Sequence, residues 1–430
     1  MLRRIDLRGL SGPPAEALPR PRLPGDDPVA EVREILELVR QGGDAALLEL
    51  TARFDGVRLE SLTVAPAEIL AAVDRIAPPV LRALENAAAN IRLYHEAQLP
   101  GEVNVERDGI RITGLHRPVR RAGCYVPGGR AVYPSTVLMT AIPARVAGVA
   151  EVAVTVPPGP DGSVPDVTLA AAAVAGVTEV HPVGGAQAIG ALAYGTASVA
   201  AVDVIVGPGN SYVAVAKQEV AGLVGVPSAF TGPSEVVVVA DDSVGPELAA
   251  IDLIVQAEHG PDGLCWLVTW DQGVLDRVDE QVEALVAVAA RRSDIERTLA
   301  TAGYAVLCES PEQAIEVVNS IAPEHLELLT RSPDDLVPLV CNAGAVFCGP
   351  WSPASIGDYL AGPSHVLPTN GSARFASALT VRDFMKDIHV VSVDEAGLAG
   401  MADDVVALAE AEGLTAHADS IRMRWRVPVR

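Results

Sequence analysis

Aromatic side chains are scarce in this sequence. Phe, Trp and Tyr make up 4% of its 430 residues, so few flat rings are on hand to stack nucleic-acid bases. Positive charge is also short: 32 Lys and Arg face 55 Asp and Glu, and the net charge of -23 repels phosphate backbones and anionic membranes. Nucleic acids and membranes are thereby excluded as expected partners. No CxxC pair occurs. The five cysteines, Cys124, Cys265, Cys308, Cys341 and Cys348, are odd in number and scattered, which suggests neither a zinc ribbon nor a disulfide framework and fits reduced thiols. Long hydrophobic runs are missing too. Every apolar stretch is broken by Pro, Gly or a charge before about 18 residues, and the opening MLRRIDLRGL has no apolar core of signal-peptide length. The expected localisation is cytoplasmic.

What remains is an aliphatic chain. Hydrophobic residues reach 49%, a supply dominated by Ala, Val, Leu and Ile, as in α/β proteins with parallel sheets. The length suffices for several domains. Residues 1–26, rich in Pro and Arg, read as an extended arm with little helix or strand signal, either disordered or docked on a partner. From 27 to about 99 apolar residues recur at three and four spacing, the mark of amphipathic helices. The middle alternates β-branched runs (152–156, 177–183, 202–206, 236–240, 264–269) with Ala-rich helical ones, a βαβ repetition that implies parallel strands. It continues through 304–308, a helix from Pro311, and 344–347; a short strand and helices fill the last fifty residues. Two strand-to-helix turns, VGGAQAIG and VGPGNSYVAVAK, carry glycines that admit a ligand close to the backbone. Neither is a GxGxxG fingerprint or a Walker loop, so each reads as a cofactor contact or only as a tight connection.

Four separate segments carry candidate chemistry. Gln256 and His259, in QAEHG, are three apart near the end of a helix and share a face, so they can hold one ion together; a histidine there can also simply cap the helix dipole. Glu324 and His325, in APEHLE, are adjacent on a helix or turn and point in different directions, which lets one activate water while the other moves a proton. Asp358 precedes the irregular segment AGPSH that ends at His365, and it reads either as an Asx turn or as a functional carboxylate. His417, after Glu412, alone reads as a surface histidine. His95, His116, His181 and His389 have structural surroundings. Cys124 in GCYVPGG has no His or Lys beside it to lower its pKa and reads as a structural thiol. Together these oxygen and nitrogen donors suit a metal site with a base at hand.

Taken in order, the segments resemble the histidinol dehydrogenase family from about 27 to 417. The most specific stretches are GCYVPGGRAVYPSTVLMTAIPARVAGV, VGGAQAIGALAYG, VDVIVGPGNSYVAVAK, TGPSEVVVVAD, QAEHGPDG, APEHLEL and GDYLAGPSHVLPT. The resemblance implies a bifunctional NAD-dependent oxidation of L-histidinol to L-histidine through the aldehyde, the last two steps of histidine biosynthesis. It implies one zinc per subunit held by Gln256, His259, Asp358 and His417, the last from the other subunit of a homodimer with shared active sites. Glu324 resembles the residue that activates water, and His325 the acid/base that takes the alcohol proton. Ser234, His365 and Glu412 match substrate contacts, together with His325 and the zinc set; Tyr125, Gln187 and Asn210 match NAD contacts. The implied fold is α/β: two related incomplete Rossmann-type domains, aldehyde-dehydrogenase-like, with small N- and C-terminal dimerisation segments. The expected division is an arm at 1–26, a large zinc and substrate domain from 27–124 and 236–379, an inserted NAD-side domain at 125–235, and a C-terminal segment, 380–430, reaching the partner.

Two departures stand out. The chain reads Pro353-Ala354-Ser355 where many members carry a glutamate that can meet the substrate amine, and SAFT (228–231) replaces the usual segment before GPSEV. Ala354 keeps open a zinc- and NAD-dependent dehydrogenase of the same fold acting on another small polyol, such as a sulfonated propanediol, which would want added Arg or Lys around the site. A non-catalytic zinc-binding dimer would lack the base, and the base is present.

Overall fold

The computed structural model describes residues 1–19, 28–128, 131–227, 234–258, 260 and 263–426. They divide into two compact units, 1–98 with 120–384, and 99–119 with 385–430. The first holds two all-parallel sheets, and the expected α/β architecture is present. In the larger sheet the order is β1 (Arg3–Asp6), β10 (Gly303–Leu307), β9 (Leu264–Thr269), β8 (Glu235–Ala240), β11 (His325–Leu329) and β12 (Ala345–Cys348). The inner strands are near-continuous β-branched and apolar runs, EVVVVA and LCWLVT, because helices cover both faces. Alternation sorts their side chains. Val236, Val238 and Ala240 pack with Ala249, Leu253 and Ala257 of the helix Pro246–Ala257, while Val237 and Val239 pack with Ile315 and Val318 of the helix Pro311–Ile321 on the other face.

Two strands differ from the sequence reading. Part of the segment read as an arm is an edge strand: β1 pairs with β10, Leu2 and Leu7 are buried, and the Met1 ammonium reaches the Asp279 carboxylate at 2.8 Å. Its composition, RRID, hides it, since an edge strand can turn its charges outward. Residues 20–26 of that segment lie outside the described residues. Glu324 and His325, read on a helix or turn, stand at the start of β11, an inner strand between β8 and β12. HLELL places polar residues at alternate positions, and those positions face the cleft described below.

The smaller sheet has the order β6 (Glu179–His181), β5 (Glu151–Thr155), β4 (Arg121–Tyr125) and β7 (Val204–Val206). Its core is alanine-rich, with Ala186, Ala188, Ala191 and Ala193 of the helix Gly185–Tyr194 lying against Val32, Leu36 and Val39 of the helix Val29–Phe54. The second unit is an antiparallel sheet, ordered β13 (Met385–Val393), β3 (Ile110–Pro118) and β2 (Val103–Arg107), followed by the helices Glu395–Ala411 and Thr415–Met423. Among the described residues no helix is long and apolar enough to cross a membrane.

Candidate active site

Strand order locates the site. In the smaller sheet β5 and β6 lie on one side of β4 and β7 on the other, so the order reverses between β4 and β7, where ligands of open α/β sheets gather at the carboxyl ends. The turns leaving those two strands contribute Pro127, Gly128, Pro208 and Gly209 to a cleft of about 300 Å³. The opposite wall comes from the larger sheet: Ser234 before β8, Glu324 before β11, and His325 and Glu327 on β11. The remainder comes from the helices Pro246–Ala257 and Ala354–Tyr359.

Three elements place their chemistry in two tiers. Asp252 and Gln256 are one turn apart on one helix face, Ala354 and Asp358 are one turn apart on another, and His325 and Glu327 are two apart on a strand. All six line the cleft. Gln256, His325 and Asp358 form one tier, and Asp252, Glu327 and Ala354 the next. The advance is about 6 Å in each element, four helical rises or two strand rises.

In the first tier, Glu324 Oε2 accepts from Ser234 Oγ at 2.6 Å and from the Glu235 backbone N–H at 3.0 Å. His325 stands between two carboxylates, Nδ1 3.6 Å from Glu324 Oε2 and Nε2 3.5 Å from Asp358 Oδ1, with Phe347 stacked on it at 6.0 Å. Burial disfavours a charge on this ring, but Glu324 and Asp358 outweigh it and raise its proton affinity well above that of ordinary histidine. Desolvation lowers His365, whose Nδ1–H donates to the Asp358 carbonyl at 2.9 Å while Nε2 accepts from Thr136 Oγ1 at 3.0 Å. In the second tier, burial and the neighbouring Asp252 push Glu327 up to about 9, and burial raises Asp252 as well. Burial, with Glu324 close by, lifts Glu235 to about 8.

The donor set suits a divalent ion. Gln256 is 4% exposed, its Oε1 accepts from Ser234 Oγ at 3.1 Å, and its Nε2 is buried without a hydrogen-bond partner. Turning the amide over lets nitrogen meet the serine and leaves the carbonyl oxygen as a free donor for a metal. Asp358 adds a carboxylate on the same cleft. Among the described residues no three His, Cys, Asp or Glu side chains group as a metal site. That count omits the amide of Gln256, and His259 lies outside the described residues. So does SAFT at 228–231.

On the smaller sheet, Tyr125 is buried at the end of β4, its hydroxyl accepts from the Gly185 N–H at 3.2 Å, and burial lifts it to about 12. Gln187 is buried in the first turn of the helix Gly185–Tyr194. Asn210 caps the helix Ser211–Val220, Oδ1 accepting from the Val213 N–H at 3.1 Å. The cleft thus gathers Ser234, Gln256, Glu324, His325, Asp358 and His365. Glu412 and His417 are exposed residues of the second unit. Burial pushes the Cys124 thiol up to about 12, as fits a structural role. His95 and His181 are buried and bonded to the carbonyls of Ile91 and Leu62. The sequence reading missed Asp252 and Glu327. The signal was there in part, since Asp252 is one helical turn before Gln256, but Glu327 could be found only once APEHLE was read as entering a strand.

Comparison with known proteins follows that geometry. The family model described as histidinol dehydrogenase matches residues 18–425. A histidinol dehydrogenase from Synechococcus sp. is 48% identical over 398 residues, covering 92% of each chain. Another, from Methanothermobacter thermautotrophicus, is 45% identical over 413 residues, 96% of this chain and 97% of that one. The crystal structure of histidinol dehydrogenase from Elizabethkingia anophelis superposes with a TM-score of 0.94 at 34% identity, covering 99% of this chain and 98% of that one.

Proposed function

The chain belongs to the histidinol dehydrogenase family, and from that premise we propose how its cleft oxidises L-histidinol to L-histidine in histidine biosynthesis. The alternative substrate, a sulfonated diol, is not favoured: the charged side chains among the described cleft residues are carboxylates and histidines, with no Lys or Arg to meet a sulfonate.

Two hydrides leave the substrate's terminal carbon for two NAD molecules in succession, and one water is consumed. In the first step the neutral His325 ring takes the hydroxyl proton as the hydride departs, giving the aldehyde; Glu324 and Asp358 on either side stabilise the imidazolium that forms. Glu324 then takes a proton from the water that adds to the aldehyde. Two hydrogen bonds, from Ser234 and the Glu235 backbone, aim its carboxylate. The second hydride leaves from the hydrated aldehyde, and holding that intermediate in one cleft keeps it from side reactions. The observation that carries this reading is the Glu324–His325 pair, adjacent in sequence and 3.6 Å apart in one cleft.

Gln256, His259, Asp358 and the partner subunit's His417 would hold a zinc ion, and His365, Ser234 and Glu412 would contact substrate. When bound, the ion supplies a grip for the substrate's imidazole and amine nitrogens, donors that suit zinc. Tyr125, Gln187 and Asn210 are the proposed NAD side, on an inserted domain at 125–235, with zinc and substrate assigned to 27–124 and 236–379. A homodimer is proposed because the C-terminal segment exposes apolar residues, including Val391 at 60% and Leu408 at 66%. The proposed compartment is the cytoplasm.

The test is NADH formation from L-histidinol, with bound metal measured before and after chelation. His325→Asn is expected to keep its metal and slow hydride transfer by about a hundredfold to ten-thousandfold. Near-wild-type turnover in that variant would remove His325 from the proton-transfer role.

A further inference from the structure

We propose that Asp252 and Glu327 form the subsite that recognises the substrate's amine, setting the preference for an amino alcohol over the same alcohol without its amine. The inference rests on histidinol being the substrate and concerns residues to which no role was given above.

Glu327 is 1% exposed yet lines the cleft. Its Oε1 accepts from the Ala354 N–H at 2.6 Å. Its Oε2 is buried with no amide or hydroxyl donor against it, and its neighbour is the Asp252 carboxyl. Two facing carboxyls can satisfy each other only by sharing a proton, which leaves one negative charge on the pair. A buried oxygen whose one partner is another carboxyl is costly, and the cleft is where a further donor can arrive. The Ala354 side chain leaves room at that point, since a methyl stands where a longer chain would compete for the same space. No Lys or Arg lines the cleft among the described residues, and the cation nearest the pair there is His325, two residues from Glu327 on the same strand.

Spacing matches the ligand. The acid pair is one tier, about 6 Å along each element, from Gln256, His325 and Asp358. A small amino alcohol fits within that interval, with its hydroxyl-bearing carbon at His325, the lone pair of its amine toward the ion that Gln256 and Asp358 would hold, and its N–H groups toward the pair. The amine's N–H groups then donate to Glu327 Oε2 in place of the proton shared with Asp252, and that proton passes to solvent.

Glu327→Gln keeps shape and removes one of the two carboxyls, so the pair has no shared proton to give up and cannot gain a second charge when the amine arrives. The comparison is steady-state kinetics of wild type and variant on L-histidinol and on the imidazolyl alcohol lacking the amine. The variant is expected to raise KM for L-histidinol by about tenfold to a hundredfold, as for a lost hydrogen bond to a charged group, while KM for the deaminated alcohol stays within about twofold. Asp252→Asn is expected to give the same split, and it carries the test should thermal melting show the first variant unfolded. Equal losses on both alcohols, or an unchanged KM for L-histidinol, would overturn the proposal. Wild-type turnover of L-histidinol separately tests the reading on which it rests.

Discussion

Gly207 shows how far a single residue shapes the proposed cofactor side. Its φ of +109° lies where side chains are strained, and a Cβ there would overlap the Tyr125 carbonyl oxygen. The glycine therefore lets the β7 turn close against the end of β4 at the point where the strand order reverses. Gly207→Ala is expected to cost about 1–3 kcal/mol from strain alone, read as a lower melting temperature, with NAD affinity weakened as well. An unchanged melting curve would show that the turn has room to relax. Residues of this kind were legible in the sequence because glycine-rich turns after β-branched runs have a mechanical meaning. Glu327 was not, because a lone glutamate inside an apolar run is indistinguishable from a surface residue until the strand's neighbours are known. Asp252 was half-legible: its helix was assigned, but nothing local said which face met a cleft.

Elements were read best where their composition matched their surroundings. β8 and β9 are covered on both faces and show as continuous apolar runs, and the helix Pro246–Ala257 announces itself with a proline in its first turn. β1 and β11 were missed for opposite reasons: an edge strand tolerates charge, and a strand that feeds a polar cleft must break its apolar run. A similar compromise holds the starts of β4, β5 and β6 together. The Arg121 guanidinium, with its side chain 8% exposed, reaches Glu151 at 3.0 Å and also Glu179, which bonds His181 at 2.9 Å. Burial would raise the Glu179 carboxyl, but hydrogen bonds from His181 and Arg121 outweigh it and hold it down to about 2, from an ordinary 4.5. A depressed carboxylate stabilises the fold fully above its unfolded value and loses that contribution as pH falls through the folded one. Glu179→Gln is thus expected to cost about 1–3 kcal/mol near neutral pH, as for a charged hydrogen bond removed. The difference should shrink as pH drops from about 4.5 toward 2. Urea denaturation midpoints across that range measure it, and a gap independent of pH would assign the loss to packing.

At the scale of the whole molecule, composition excluded partners but could not describe assembly. The net charge of -23 disfavours nonspecific self-association, so a dimer must be held by a specific apolar surface. The second unit has the means: Val103 and Val105 of β2 are each 52% exposed, and Val390 and Val391 of β13 are 41% and 60% exposed. The proposal that His417 serves the neighbouring subunit's cleft has a consequence that no single-chain property imitates. A His325→Asn subunit lacks its own base but can still lend His417; a His417→Ala subunit keeps its base but lends nothing. Each homodimer is expected to be nearly inactive. After subunit exchange, about half the dimers are mixed, and each mixed dimer has one cleft with both residues intact, so activity should recover to about a quarter of wild type in a two-fold symmetric assembly. If each cleft used its own chain's His417, both clefts of the mixed dimer would remain defective and exchange would restore nothing. The assay is NADH formation before and after co-refolding of the two variants, with the dimer fraction followed by light scattering. Recovery without mixed dimers, or mixed dimers without recovery, would refute the shared site.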